Sequence, residues 1–350
     1  MLVMGTFDGV HRGHQALIDL CRARAGKIGA EPWALTFDPH PSTILGPSLA
    51  PPLLCTTERR LELLCKEGVL ATVLLPFDET LASTSCEEFV ERYLLPCGAR
   101  EIVVGYDFTF GRGRVGDVST LEDLGRRFGI AVHVVPPVSI EGGIVPSSTK
   151  VRQLLLEGRV EAAATLLGRP HDVGGRVVPG EGRGRTIGFP TANVDVESPV
   201  LLPANGVYVV RVALGDDEGT SSSLVKAKEE SDGGSEDGSW WAGAANIGTN
   251  PTFTSSSRVL LEIHLIEPLS SPSSEAKHMG MAGPGRALGK RGYEGPSLVG
   301  KKVFVQFVKR LRKEKRFASA DHLVQQIKDD VEQARRVLLE DGDAEGLLDA

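Results

Sequence analysis

The chain has 350 residues, of which 41% are hydrophobic and 24% charged, and its formal net charge is −7. This length exceeds the roughly 250–300 residues at which a single core stops growing, so we expect two domains. The acidic balance argues against nucleic-acid binding, and no apolar run approaches the ~20 residues of a membrane-spanning helix.

The cysteines predict the compartment. There are five of them, with no C-x-x-C spacing: Cys21, Cys55, Cys65, Cys86 and Cys97. This pattern favours free thiols in a cytoplasmic protein over a disulfide framework or a zinc site. Because the chain starts inside a predicted strand, the sequence leaves open an upstream targeting segment.

The opening residues predict a strand, a glycine-rich turn and the start of a helix. Residues 1–4 are apolar, residues 5–9 have turn chemistry, and a helical pattern begins near His11. His11 and His14 are three residues apart and therefore share a face, beside the positive end of the helix dipole where phosphate binds well. Gly13 leaves space for a nucleotide to approach the backbone. Spacing alone leaves open the alternative of two surface histidines in a loop.

The rest of the first half alternates between strands and helices. Strand-like runs occupy residues 32–37, 72–75, 102–104 and 131–135, and the 72–75 run reads as a buried strand. Helical patterns occupy residues 58–66, 86–95 and 121–128. This order predicts an α/β domain with a Rossmann-like parallel sheet covered on both faces, which binds ligands at the carboxyl ends of its strands. We expect the histidine turn, residues 38–41 and residues 105–111 to gather at that edge.

A second candidate phosphate site is the Ser-Ser-Thr-Lys-Val-Arg run at residues 147–152. Ser148 and Thr149 supply hydroxyls at a helix start, and Arg152 offers a planar set of donors that suits phosphate oxygens. An ordinary helix N-cap is the alternative. The chain has no G-x-x-x-x-G-K-[ST] motif, so a P-loop enzyme is not supported.

Residues 5–14 resemble the nucleotidyltransferase signature of bacterial-type FAD synthetases, Gly-x-Phe-Asp-Gly-Val-His-x-Gly-His, at every position, and residues 147–152 resemble that family's Ser-Ser-Thr-x-x-Arg element. The resemblance implies adenylyl transfer from ATP to FMN, which positioning and electrostatics can carry without a covalent intermediate. It implies three groups of site residues. The ATP-binding residues are Gly5, Phe7 and Gly13, the catalytic residues are His11 and His14, and the residues for the leaving phosphates are Ser148, Thr149 and Arg152. Asp107 and Phe110 are expected at the flavin, with core packing as the alternative for Phe110.

The second half has a different pattern. A predicted helix at residues 160–167 is followed by Gly-Arg-Pro, so the boundary between domains 1–166 and 167–342 falls here. Strand-like runs at residues 174–179, 206–214, 241–247, 259–266 and 302–308 predict an antiparallel barrel of five strands, closed by an amphipathic helix at 320–339. Two segments rich in Ser, Gly or Pro, 216–239 and 268–296, are expected to be mobile loop insertions.

The chemical stretch of this half is Gly-Glu-Gly-Arg-Gly-Arg-Thr-Ile-Gly-Phe-Pro-Thr-Ala-Asn at residues 180–193. Its glycines let backbone amides approach phosphate oxygens, and Thr191 and Asn193 offer neutral oxygen ligands for Mg²⁺. A glycine-rich hairpin is the alternative. Further along, strand alternation puts Glu262 and His264 on the face opposite Leu261. From the residues alone, Glu262 could equally be a solvated strand residue.

The run G-R-x-x-G-F-P-T-A-N resembles the riboflavin kinase signature, and residues 205–208, 246–253, 261–265 and 310–314 match further family elements in order. The resemblance implies phosphate contacts from Gly182, Arg185 and Gly188. It also implies that Glu262 is the base that activates the terminal ribityl hydroxyl, while His264 is expected to be structural. The basic run 309–316 then belongs to the kinase fold and not to a nucleic-acid surface.

Together the two halves resemble the bifunctional riboflavin kinase/FMN adenylyltransferase family. The implied substrates are riboflavin, FMN and ATP with Mg²⁺, with FMN as intermediate and FAD as product, in a cytoplasmic monomer or weak homo-oligomer without nucleic acid or membrane. Two alternatives stay open. One is an enzyme in which only the adenylyltransferase is active because the 268–296 insertion impairs the kinase, and the other is a flavin- or nucleotide-binding regulator without turnover.

Overall fold

The computed structural model describes residues 1–180, 182–197, 200–215, 240–249, 259–269 and 297–345. The chain divides into two compact units, one of Met1–Arg152 with Leu166–Gly168 and one of Gln153–Thr165 with Arg169–Ala350. The predicted insertion 216–239 and residues 270–296 of the second insertion lie outside the described residues. In the described part of the chain, no helix is long and apolar enough to cross a membrane.

The first unit contains a five-stranded parallel sheet with the order β3-β2-β1-β4-β5. Its strands are β1 (Leu2–Met4), β2 (Trp33–Asp38), β3 (Ala71–Pro76), β4 (Glu101–Gly105) and β5 (Ala131–Val135). Val3, Ala34 and Val103 belong to a buried cluster on one face, and Met4 and Leu35 to a buried cluster on the other. The predicted parallel sheet with two covered faces is therefore confirmed.

Six helices lie between the strands along the chain, and two more follow β5. They are α1 (Arg12–Ile28), α2 (Pro41–Leu45), α3 (Thr57–Lys66), α4 (Glu79–Ser83), α5 (Cys86–Phe89), α6 (Val118–Phe128), α7 (Ser148–Leu156) and α8 (Val160–Leu167). Ser85 and Glu88 form a capping box at α5, which continues as a π-helical turn, Val90–Leu94. Helix α6 begins earlier than the 121–128 pattern predicts because the Asp117 side chain accepts a hydrogen bond from the Thr120 N–H and so caps the helix there.

One expectation about this sheet is wrong. The apolar run at residues 72–75 predicts a buried strand, but β3 is an edge strand and Leu74 is 37% exposed. A short apolar run shows only that a strand forms. Its place in the sheet depends on pairing with distant strands, which the run itself does not encode.

The second unit is a closed antiparallel barrel with the order β10-β7-β6-β11-β8-β9. Its strands are β6 (His171–Val178), β7 (Ala192–Val196), β8 (Gly206–Leu214), β9 (Trp240–Thr249), β10 (Val259–Pro268) and β11 (Lys302–Arg312). The predicted barrel is confirmed, but the count of five strands is wrong, because the described residues form six. The sequence pattern does not reveal β7, because this strand comes just after Gly188 and Pro190, which are typical of a turn.

After α8, the described residues of this unit form two further helices. A short helix, α9 (Arg183–Thr186), lies between β6 and β7, and α10 (Ala320–Glu345) follows the barrel. Buried residues of α10 pack against Val209, Ala242 and Ile266 of the barrel wall; they are Val331, Ala334, Val337 and Leu338. The predicted closing helix is confirmed, and it continues beyond the expected end at residue 339.

Candidate active sites

The turn between β1 and α1 has an unusual backbone. Phe7 and Val10 both have positive φ values, 51° and 40°, which cost L-residues roughly 1–2 kcal/mol each. Both side chains are buried, Phe7 completely, so core packing holds the turn in this conformation. The Phe7 ring also packs edge-on against the ring of His14, with 5.2 Å between centroids. Strain of this kind, held in place by packing, is typical of functional sites.

The two histidines lie together, as expected. Their rings stack with centroids 3.7 Å apart and planes at 17°. His11 is the N-cap of α1, because its Nδ1 accepts a hydrogen bond from the His14 N–H at 3.3 Å. The Nδ1 atom of His14 is buried without a hydrogen-bond partner among the described residues. Burial, and then the charge of His11, lower the pKa of His14 well below its usual value, so this imidazole is neutral near pH 7.

The structure gives a reason for glycine at position 13 that differs from the one expected. A Cβ atom at this position would lie 3.0 Å from Cε1 and 3.1 Å from Nδ1 of His11. The space that Gly13 leaves open is therefore occupied by the His11 ring, and the glycine permits the stacked pair of histidines.

The second candidate phosphate site, residues 147–152, contacts the histidine turn through Asp8. This residue is 2% exposed, and its carboxylate accepts the Leu54 N–H at 2.9 Å and forms an ion pair with Arg152. Its backbone oxygen accepts the Ser148 hydroxyl at 2.9 Å. Burial raises the pKa of Asp8, while Arg152 opposes that shift. The structure thus brings Ser148 and Arg152 to the histidine turn, whereas Thr149 is exposed.

A buried arginine that the sequence analysis did not single out connects two of the turns. Arg60 on α3 is 4% exposed, and it donates to the Thr6 oxygen at 2.9 Å and to the Phe37 oxygen at 2.7 Å. His40, in the turn after β2, has its pKa lowered to about 4 by burial and by the charges of Arg152 and Arg60. An arginine in an amphipathic helix usually signals a solvated face, so no local pattern pointed to Arg60.

The two flavin candidates lie in different surroundings. Asp107 is exposed just after β4. Phe110 is 7% exposed, and its ring packs 5.7 Å from both Phe89 and Phe108 within a core cluster. The geometry of Phe110 is that of a core residue, the alternative that the sequence left open.

In the second unit, a cavity of about 460 Å³ opens beside the glycine-rich stretch. Four predicted residues line it, together with Gly180 and Pro190; the four are Gly182, Arg185, Thr191 and Asn193. Gly188 is exposed and is not among the lining residues. A Cβ atom at Gly180 would lie 1.8 Å from the Asn193 Nδ2, so only glycine leaves room for that amide. Gly180 was not singled out because its sequence signal is the same as that of its neighbouring glycines.

Glu262 lies in the middle of β10, paired in register with Asn193 on β7 and Asn246 on β9. Directly opposed residues of antiparallel strands have Cβ atoms about 4.5–5.5 Å apart on the same face, so two amides flank this partly buried carboxylate. Leu261 and Ile263 face the opposite way and are buried, as the alternation predicted. Asn246 was noted only as part of a family element, because its place beside Glu262 depends on strand register.

Comparisons with known proteins match each half of the chain to a family. A family model described as FAD synthetase matches residues 1–149, and one described as riboflavin kinase matches residues 167–338. The bifunctional riboflavin kinase/FMN adenylyltransferase of Pseudomonas fluorescens is 34% identical over 95% of this chain and 91% of its own length. The chain belongs to this bifunctional family. The Escherichia coli (strain K12) relative of the same name is 33% identical over 96% of this chain and 91% of its own length.

One solved structure is similar across both units. It is a crystal structure described as a macrolide-efflux protein from Streptococcus pneumoniae, with a TM-score of 0.73 and 31% identity, covering 95% of this chain and 93% of its own. The similarity includes the α/β unit and the barrel within a single chain, which is the domain pairing of the bifunctional family.

Both component families use ATP and generally a divalent metal. The residues present fit such an ion in the kinase domain. The exposed Thr191 hydroxyl and the Asn193 amide both line the cavity, and Gly180 leaves the amide its space. Neutral oxygen donors of this kind suit a hard cation whose negatively charged ligands are mainly the phosphates of the nucleotide.

Proposed function

We propose that residues 1–166 transfer the adenylyl group of ATP to FMN, and that residues 167–342 phosphorylate riboflavin. The observation that carries the proposal is the position of Glu262. Strand register puts this residue directly opposite Asn193, which lines the cavity. The stacked histidines at a helix N-terminus support the first activity in the same way.

In the kinase step, Glu262 accepts the proton of the terminal ribityl hydroxyl of riboflavin. The hydroxyl oxygen bonds to the γ-phosphorus of ATP while the bond from that phosphorus to the β–γ bridging oxygen breaks, which gives FMN and ADP. Gly182, Arg185 and Gly188 bind the phosphates. We assign Mg²⁺ to Thr191 and Asn193, where it would neutralise charge on the transferred phosphoryl group.

In the adenylyl step, an FMN phosphate oxygen bonds to the α-phosphorus of ATP, and the bond to the α–β bridging oxygen breaks, so that FAD and pyrophosphate form. His11 and His14 bind the triphosphate and stabilise its developing charge. Arg152 uses Nε for the Pro52 oxygen and Nη2 for Asp8. We therefore assign its Nη1 donors to the leaving phosphates.

The remaining assignments are less central to the chemistry. Gly5, Phe7 and Gly13 shape the ATP turn, Ser148 and Thr149 add hydroxyls at the start of α7, and Asp107 contacts the flavin while Phe110 supports its pocket from the core. We assign the enzyme to the cytoplasm, the compartment that the cysteine pattern favours. We assign it as a monomer or weak homo-oligomer.

The contacts of two arginines in the basic run 309–316 argue against a nucleic-acid-binding surface there. Arg312 makes two hydrogen bonds of 3.1 Å and one of 2.8 Å with the Asp330 carboxylate of α10. Arg310 donates to the oxygens of Glu157 and Asn205. Both guanidinium groups are therefore used within the kinase unit rather than presented to phosphate backbones.

A chromatographic time course of the purified chain with riboflavin, ATP and Mg²⁺ tests the proposal. We expect FMN to rise first and then to be converted to FAD. If riboflavin is unchanged while added FMN becomes FAD, only the adenylyltransferase is active. If neither flavin is converted although both bind, the chain is a regulator and the proposal is wrong.

A further inference from the structure

A buried histidine contacts the loop that leads to the proposed metal ligands. His264 follows Glu262 by two positions on β10, points to the same face, and is 6% exposed. Its Nδ1 lies 2.9 Å from the backbone oxygen of Pro190. Since a carbonyl oxygen only accepts, Nδ1 carries the proton and donates it. Burial lowers the pKa of His264, so the ring is neutral and this nitrogen holds its single proton.

The residue that it contacts comes directly before Thr191 and itself lines the cavity. Proline has no backbone N–H, so the Pro190 carbonyl is the only main-chain hydrogen-bonding group at this position. The hydrogen bond from His264 to that oxygen therefore ties the backbone of Pro190 to β10.

The ring of His264 also contacts Phe189, the residue before Pro190. Phe189 packs edge-on against it, with centroids 5.3 Å apart and planes at 71°, and also joins the cluster beneath α10. The Phe189 N–H donates to the Gly184 oxygen at 2.8 Å, which ties α9 to the same point. One imidazole thus contacts two successive residues of the segment 187–191 that leads into β7.

We propose that His264 is a positioning residue of the kinase reaction, which anchors segment 187–191 so that Thr191 faces the base Glu262 beside Asn193, which strand pairing holds there. Strand β10 then carries both the base, Glu262, and His264, which orients segment 187–191 towards that base. Beyond the expected structural role, this inference gives His264 a specific action through Pro190, and it rests on the proposed kinase function.

The test compares His264→Leu with His264→Asn in the full-length chain. Leucine removes the donor and keeps an apolar side chain, whereas the asparagine amide can place an N–H close to the position of Nδ1. We expect His264→Leu to lower kcat for riboflavin phosphorylation by about 10- to 100-fold, the range that a small misplacement of reacting groups produces. The KM for Mg–ATP should rise, the KM for riboflavin should not change, and His264→Asn should restore most of the activity.

The conversion of FMN to FAD by the same preparations is the internal control, and it should be equal to wild type in both variants. His322→Leu, at an exposed histidine of α10, is the matched substitution and should leave both activities unchanged.

Hydrogen exchange read by mass spectrometry supplies a measurement that does not depend on turnover. In His264→Leu, amides of residues 187–194 should exchange faster than in wild type, while β8 and β11 keep their protection, and His264→Asn should return the segment towards wild type. Wild-type kcat in His264→Leu, equal impairment in His264→Asn, or faster exchange throughout the barrel would each overturn the positioning role. A wild-type chain that does not phosphorylate riboflavin would instead overturn the proposed kinase function.

Discussion

The two units hold their reactive groups in different ways. In the first, a strained turn is fixed by buried packing and by buried charges, with Asp8 bound to Arg152 and the backbone of Thr6 bound to Arg60. In the second, strand register places Glu262, and an exposed loop completes the site. We infer that substitutions in the network around Asp8 change activity and stability together, whereas in the barrel the two can be separated.

The largest effect expected is at the barrel site. Glu262→Gln removes the proposed base but keeps a similar shape, so FMN formation should fall by about a thousandfold, within the range for general-base catalysis. FMN-to-FAD conversion should persist, as measured by chromatography with each flavin as substrate. The matched control is Glu267→Gln on the same strand, whose carboxylate pairs with Arg335 at 3.0 Å. Loss of both activities with an intact circular dichroism spectrum would contradict independent sites.

The corresponding change in the first unit is His14→Ala. We expect FMN-to-FAD conversion to fall by about 10²- to 10³-fold, the usual cost of losing one preorganised donor to a developing charge. Riboflavin phosphorylation should continue at the wild-type rate. His133→Ala, at a histidine of β5 bound to Glu101, serves as the control from the same unit. Equal losses in both variants would mean that the effect is structural.

A stability measurement sharpens the comparison. Asp8→Asn leaves Arg152 without its buried carboxylate and should lower the free energy of unfolding of the first unit by about 2 kcal/mol, a typical value for a lost charged hydrogen bond. Urea unfolding can be followed by Trp33 fluorescence after Trp240 and Trp241 are replaced by phenylalanine.

Asp19→Asn is the control for that experiment, because Asp19 forms an exposed ion pair with Arg22 at 3.6 Å and such pairs contribute little. An equal midpoint in Asp8→Asn and wild type would show that the buried pair does not support the turn.

The last comparison concerns pH. His40 takes up a proton below pH 6.5 when the chain is unfolded, but only near pH 4 when it is folded. The unfolded state therefore binds more protons between these values, and the free energy of unfolding should fall by up to about 1.4 kcal/mol per pH unit as pH decreases through this window. In His40→Asn the slope of the first unit's unfolding free energy should be smaller, with His322→Asn as control. An unchanged slope would contradict the assigned environment.

Local patterns predicted a large part of this architecture. The order of apolar runs and turn residues was enough for the parallel sheet, and alternation around Glu262 was enough to orient β10. The histidine pair followed from spacing at a helix start. Each of these features depends on residues within a few positions of one another, where sequence and geometry are directly linked.

Features that depend on distant parts of the chain were not predictable in this way. The partner of Asp8 lies 144 positions away, and the amides beside Glu262 come from two other strands. Strand β7 was hidden by the turn residues that precede it. Phe110 shows a further limit, since an aromatic residue after a strand fits a ligand wall as well as a core until its neighbours are known.

The link between Asp8 and helix α7 has a consequence for biosynthesis. The histidine motif leaves the ribosome before the guanidinium that pairs with Asp8, which belongs to residue 152, and Gln15 also donates to the oxygen of Leu167 at 2.9 Å. At the usual rates of synthesis, roughly 8–30 s separate the two ends of this contact. During that interval the buried carboxylate of the nascent histidine turn lacks its counterion. A chain cut at residue 149, where the FAD synthetase match ends, would keep both histidines and never complete the site.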